Sequence, residues 1–227
     1  MNKRDVRLMQ SMMTAIGDAT KGGIVLIDVK STQFVRVDLV LLKLLSEQLQ
    51  MPGVFVSVDR PHQYITHLLR MHQINPAKLT FVDLIGRFSG DKKQGTSSVG
   101  FVDGPFHASS IPETLEQWNV GTDDNVVNIK NCEFAIIENL ASLLSYNSYA
   151  TVESFLRDLV GVLRSNDDAV VILMIDRSRS PLLYETARTL CTREISVEDV
   201  LHAAIPATEK SFLSSADLRY AQGEVRG

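Results

Sequence analysis

Short unbroken apolar runs alternate along this chain with longer stretches in which apolar residues return every three or four positions. The runs are Ile24 to Val29, Val54 to Val58, Leu79 to Leu84, Phe134 to Ile137 and Ala169 to Ile175. They are rich in Val, Ile and Phe, and so predict strands buried on both faces. The periodic stretches predict amphipathic helices. One covers residues 4–18, with Val6, Met9, Met12, Met13 and Ile16 on one face. A second carries Val37, Val40, Leu41, Leu44, Leu45 and Leu49, and a third Tyr64, Ile65, Leu68 and Leu69, with Pro61 in its first turn. The most regular follows Thr151, the expected N-cap, with Val152, Phe155, Leu156, Leu159, Val160 and Leu163. Residues 181–190 predict another helix, and Ile195 to Leu201 fits either a strand or a short helix. Strands alternating with helices imply parallel pairing through right-handed crossovers, hence a three-layer α/β/α sandwich.

The pattern is interrupted twice. GRFSGDKKQGTSSVG, starting at Gly86, opens a stretch (86–110) expected as a mobile loop or insert. Residues 101–130 show little periodicity beyond a short helix near Pro112, with Phe106 and Trp118 expected to anchor the segment. At 227 residues the chain suits a single α/β domain, with an N-terminal helix within 1–20 and a C-terminal tail at 206–227. A 44% apolar and 22% charged composition is that of a globular protein. The net charge of −4 argues against broad non-specific binding to nucleic acid or anionic membranes. Cys132 and Cys191 lack partners at metal-ligand spacing and are expected as reduced thiols. No run approaches bilayer-spanning length, and the N-terminus has no continuous apolar core, so a cytoplasmic location is expected.

Candidate chemistry gathers where ligands bind in parallel sheets, at the carboxyl ends of the strands. Those ends carry Lys30 and Ser31, Asp59 and Arg60, Asp83, Glu138 and Asn139, and Asp176 and Arg177. The first strand leads through KSTQFVRVD into its helix, the place where α/β folds hold phosphates on free helix N–H groups. Yet this loop has no glycine, and a phosphate cradle needs glycine for positive φ and close backbone approach. Asp38, Asp59 and Glu138 are expected to converge beside Arg36 and Arg60. Such a group is either a divalent-metal or polar-ligand site with raised carboxylate pKa values, or an ion-pair network with no ligand, the favoured expectation. His62, His67 and His72 are spaced by five, about 140° apart on a helix, and do not share a face. HExxH, CxxC and GxSxG are absent. Arg87, Lys92 and Lys93 lie in the glycine-rich stretch without interleaved aromatics, a pattern expected of a solvated loop rather than a nucleic-acid surface.

Three stretches together resemble the KaiC-like and RecA-like P-loop ATPases, in particular small archaeal single-domain members. They are GVFVSVDRPHQYITHLLRMHQINPAKLTFVD, FAIIENLASLLSYNSYATVESFLRDLVGVLRS, which is similar to a Walker B strand and its helix, and the general plan from Gly22 to Ile175. The likeness covers roughly two-thirds of the chain. It implies a mainly parallel RecA-like sheet, the P-loop NTPase fold. The family's phosphate loop, GxxxxGK[ST], falls where KSTQFVRVD stands. Aligned there, Ser31 and Arg36 replace the two glycines, Val37 the phosphate-binding lysine, and Asp38 the magnesium-holding hydroxyl. Glu138 stands at the Walker B carboxylate and Asp59 at the carboxylate that polarises the attacking water.

What the resemblance implies is therefore a degenerate homologue: no cofactor, a regulatory or assembly role, and packing on a protein partner or on itself through RecA-type edges. The alternative is an ATP- and magnesium-binding protein that uses Lys30, Arg36, Asp59 and Glu138 in an altered geometry. A further alternative is a nucleic-acid-binding accessory protein like the recombinase paralogues.

Overall fold

The five apolar runs become the central strands of one sheet, and their alternation shows why they are apolar throughout. In the computed structural model, which describes residues 3–17, 22–86, 99–102, 104–110, 112, 132–164 and 169–203, the strands are β1 (Ile24–Asp28), β2 (Gly53–Ser57), β3 (Leu79–Asp83), β4 (Val99–Phe101), β5 (Phe134–Ile137), β6 (Val170–Ile175) and β7 (Arg193–Ser196). They lie in the order β4-β3-β2-β5-β6-β1-β7, and every adjacent pair is parallel. Val25 and Ile27, Phe55, Phe134 and Ile136, and Ile172 and Met174 point into one hydrophobic layer. Their neighbours Ile24 and Leu26, Val54 and Val56, Ala135 and Ile137, and Val171 and Leu173 point into the other. Burying each such side chain contributes about 1.5–3 kcal/mol, which is why both faces are apolar apart from Thr80 and the strand-end Ser57 and Asp83.

The helices are α1 (Lys3–Ile16), α2 (Phe34–Leu42), α3 (His62–Met71), α4 (Tyr149–Arg164), α5 (Pro181–Arg188) and α6 (Val197–Ala203). Leu8 and Met12 of α1, Val37 and Leu41 of α2, Ile65 and Leu69 of α3 and Val197 of α6 fill the first layer. Phe155, Leu156 and Leu159 of α4 and Leu183 and Tyr184 of α5 fill the second. The result is the expected α/β/α sandwich.

Connections from β1 and β2 run through α2 and α3 on one face, and those from β5 and β6 run through α4 and α5 on the other. Adjacent pairs β1/β6 and β2/β5 thus send their chains to opposite faces, which opens crevices at their carboxyl ends.

Several local expectations are corrected. The link from β1 to α2 is only Val29 to Gln33, so FVRVD is helical rather than part of a loop. Thr151 is not the cap of α4: Ser148 is, its Oγ accepting the Thr151 N–H at 3.2 Å. The ambiguous stretch at 195–201 contains both elements, β7 passing directly into α6. Beyond α2 the helix widens into π-helical turns over Lys43–Gln48, with Leu49 N–H donating to Leu44 at 2.9 Å. Gly53 is required by packing, because a Cβ there would fall inside the Phe134 ring. Most of the glycine-rich stretch, with Arg87, Lys92 and Lys93, lies outside the described residues, as do Trp118 and the 206–227 tail. Phe106 is half exposed and meets the Tyr146 ring edge-on at 5.2 Å.

Candidate functional site

Two polar clusters fill the two crevices. At β2/β5, the chain leaving β2 turns through Asp59 and Arg60, held where the Ser57 hydroxyl donates to the Arg60 carbonyl. This aims the guanidinium between the strand ends. Arg60 Nη1 lies 3.7 Å from Asp38 Oδ2 and 3.8 Å from Asp59 Oδ1, and is in closest contact with Glu138 Oε1. The three carboxylates therefore converge as expected, with Arg60 at their centre. Glu138 is fully buried at the end of β5, and Asp38, on the first turns of α2, is 1% exposed. Among the described residues no hydrogen bond reaches either Asp38 oxygen. Burial pushes its carboxyl well above the ordinary value; the Arg60 charge opposes this and the Asp59 charge adds to it.

Asn139 closes the cluster from the other side. It takes a left-handed conformation, φ 43°, that Asn tolerates better than most residues. Its amide donates to Asp59 Oδ2 at 2.5 Å and to Ser142 Oγ at 2.6 Å.

Arg36 does not join. Its Nε donates to Asp5 Oδ1 of α1 at 2.8 Å, because the earlier start of α2 turns it away from the crevice. Val37 is fully buried in the apolar layer. Among the described residues no group of three or more acidic, His or Cys side chains is arranged to hold a metal ion. The histidines do not assemble either: His62 Nδ1 meets Asp83 Oδ2 at 2.7 Å, while His67 and His72 are exposed on or just beyond α3.

At β1/β6 the centre is an acid. Asp176, ending β6, accepts the Ser31 N–H at 2.8 Å, the Ser178 N–H at 3.1 Å and the Ser178 hydroxyl at 2.6 Å. Burial works to raise this carboxyl, but the bonds from Ser178, Ser31 and Arg179 outweigh it and hold the pKa below the ordinary value. Asp28 accepts the Arg177 N–H at 3.1 Å, yet burial leaves its pKa raised, with help from the Asp176 and Glu198 charges. Lys30 pairs with Glu198 of α6, an ion pair that raises the lysine. Arg177 lies over the Tyr184 ring, 5.2 Å from its centre, and Tyr184 donates to Glu194 at 2.7 Å. In sequence Asp176 is only one of several polar strand ends; its role depends on the β6–β1 pairing, which no local signal reveals. Cys132 is a buried thiol whose pKa burial raises to about 12, Cys191 is half buried, and neither is in a disulfide.

No protein-family model and no curated protein matches the chain. Solved structures do. An uncharacterised protein, PH0321, from Pyrococcus horikoshii, solved in complex with an unknown peptide, aligns with a TM-score of 0.58 at 13% identity over 82% of each chain. The KaiC-like protein PH0186 from Pyrococcus horikoshii OT3 aligns with a TM-score of 0.54 at 13% identity, over 78% of this chain and 72% of that one. The flagellar accessory protein FlaH from Methanocaldococcus jannaschii aligns with a TM-score of 0.52 at 14% identity, over 82% and 75%. The fold is thus that of the KaiC-like and RecA-like P-loop ATPases. No helix of the described residues is long and apolar enough to cross a membrane.

Proposed function

We propose that this chain is a non-catalytic protein on the RecA-like fold, acting as a regulatory or assembly partner, and that it does not bind ATP in the manner of that family. The observation that carries the reading is Arg60. Its guanidinium stands in the middle of Asp38, Asp59 and Glu138 and supplies from within the chain the positive charge that these carboxylates face. The residues present do not fit ATP and magnesium. Asp38 offers a carboxylate at the aligned position of the magnesium-holding hydroxyl, Val37 is buried in place of the phosphate lysine, and Lys30 is paired with Glu198. A charge-assisted hydrogen bond to phosphate is worth about 1.5–3 kcal/mol, so doing without several of them is enough to abolish micromolar affinity. A protein partner, including a second copy of this chain, is the other half of the proposal; a peptide accompanies PH0321 in its crystal.

Equilibrium binding of labelled ATP with magnesium tests the first half, with no saturable binding expected at micromolar concentrations. Micromolar binding that disappears on substituting residues 30–38 overturns it. Light scattering across a concentration series, with co-purification of bound protein, tests the second half.

A further inference from the structure

We propose that the Asp176 carboxylate is a tethered anion filling an oxyanion site formed between Ser31 of the β1–α2 loop and Ser178 of the β6–α5 turn, so that an external phosphate-class oxyanion enters only when Asp176 is withdrawn or neutralised. The inference rests on the reading that the wild-type chain lacks family-type ATP binding, and adds what blocks the loop.

The donors that define an anion site are present and already engaged. Ser31 N–H, Ser178 N–H and Ser178 Oγ–H all converge on the two Asp176 oxygens within 2.6–3.1 Å. Backbone N–H groups gathered in this way make a concavity selective for anions. Arg179 Nε lies 3.9 Å from Oδ2, adding a distant positive charge. Beside the carboxylate is a cavity of about 390 Å³ lined by Lys30, Arg177, Ser178 and Ser196 as donors, and by Asp28 and Glu198 as acids. It has room for an oxyanion in addition to the carboxylate. Lys30 is held by Glu198, and Arg177 by Glu185 at 3.4 Å, so both cations are restrained within the chain. With Asp176 in place, the cavity lining holds three carboxylates and two paired cations, and an incoming anion is repelled. Without it the acids and cations of the lining balance, and the Ser31 and Ser178 donors lose their acceptor.

The probe is inorganic pyrophosphate, titrated into the full-length chain by calorimetry, with the Ser31 amide followed by NMR. Wild type is expected to show no saturable binding. Asp176→Asn keeps the shape and one acceptor oxygen but removes the charge, and is expected to bind weakly. Asp176→Ser is expected to bind on the order of tenfold more tightly than Asp176→Asn, the scale of one charge-assisted contact. Asp176→Ser with Glu198→Gln frees Lys30 and is expected to bind tighter still, and Lys30→Ala in that background to reverse the added gain. The Ser31 amide shifts on binding. The inference is overturned if neither Asp176 variant gains affinity while folded, if the gain leaves the Ser31 amide unmoved, or if wild type binds pyrophosphate as tightly as the variants. A failure of the proposed loss of ATP binding looks different: wild type then binds ATP with magnesium at micromolar concentration, whatever the variants do with pyrophosphate.

Discussion

Asp176 at the β1/β6 crevice is 4% exposed and Asp38 beside the β2/β5 crevice is 1% exposed, two aspartates withdrawn from water along one edge of one sheet. The first is surrounded by N–H and O–H donors, and its pKa is lowered. The second is reached by no hydrogen bond among the described residues, leans on Arg60 at 3.7 Å, and has its pKa raised. Burial penalises the charge of both; the local supply of donors decides which one keeps it. Asp176 is therefore a stable anion that organises the turn around it. Asp38 is held in place by helix geometry and tolerated because one guanidinium serves three acids.

Removing that guanidinium is the harshest way to break the contrast. Arg60→Met leaves Asp38 and Glu138 buried with no cation between them, and is expected to cost about 3–5 kcal/mol in denaturant unfolding. Arg60→Lys should recover part of the loss, since it restores charge without the planar fork. A gentler test is Asp38→Asn. A raised folded pKa means that Asp38 favours folding below its unfolded value, near pH 4, and that this advantage is lost as pH rises through the folded pKa. The variant is thus expected to be more stable than wild type at pH 8, by about 1–3 kcal/mol, with the gap closing toward pH 4. A pH series of melting temperatures reads this directly.

Asp176→Asn has the opposite sign. A lowered folded pKa contributes stability above the unfolded value that is lost as pH falls through the folded one. The variant should lose about 1 kcal/mol at pH 7 and match wild type in acid. Should both variants move stability in the same direction at neutral pH, the contrast between the two crevices is wrong. The smallest effect is expected from Lys30→Ala. The Lys30–Glu198 pair is solvent-exposed, and losing it should leave the melting temperature unchanged within error.

Most of the sheet is legible in the chain because its strands are buried on both faces, and a short apolar run bounded by turn residues fits little but such a strand. Phe134 to Ile137 is recovered without error and β1, β2, β3 and β6 to within a residue or two at their ends. The convergence of Asp38, Asp59, Arg60 and Glu138 is legible too, since strand ends of one parallel sheet meet at one edge. What fails is phase. Reading all of KSTQFVRVD as loop, rather than starting α2 at Phe34, puts Arg36 in the crevice, whereas the observed helix directs it to Asp5. Asp176 escapes for a different reason: its partner Ser31 is 145 residues away in sequence, and nothing in DRSRS distinguishes a ligand-like carboxylate from an ordinary strand end.

The π-helical turns at Lys43–Gln48 bear on how a change of length in the β1–β2 crossover would reach this edge. A wide turn takes up an extra residue without rotating the helix that precedes it. Insertions and deletions at the far end of α2 are thereby isolated from its first turns, and Asp38 stays in register with Arg60. The length of the β1–β2 crossover and the chemistry of the crevice are free to evolve separately.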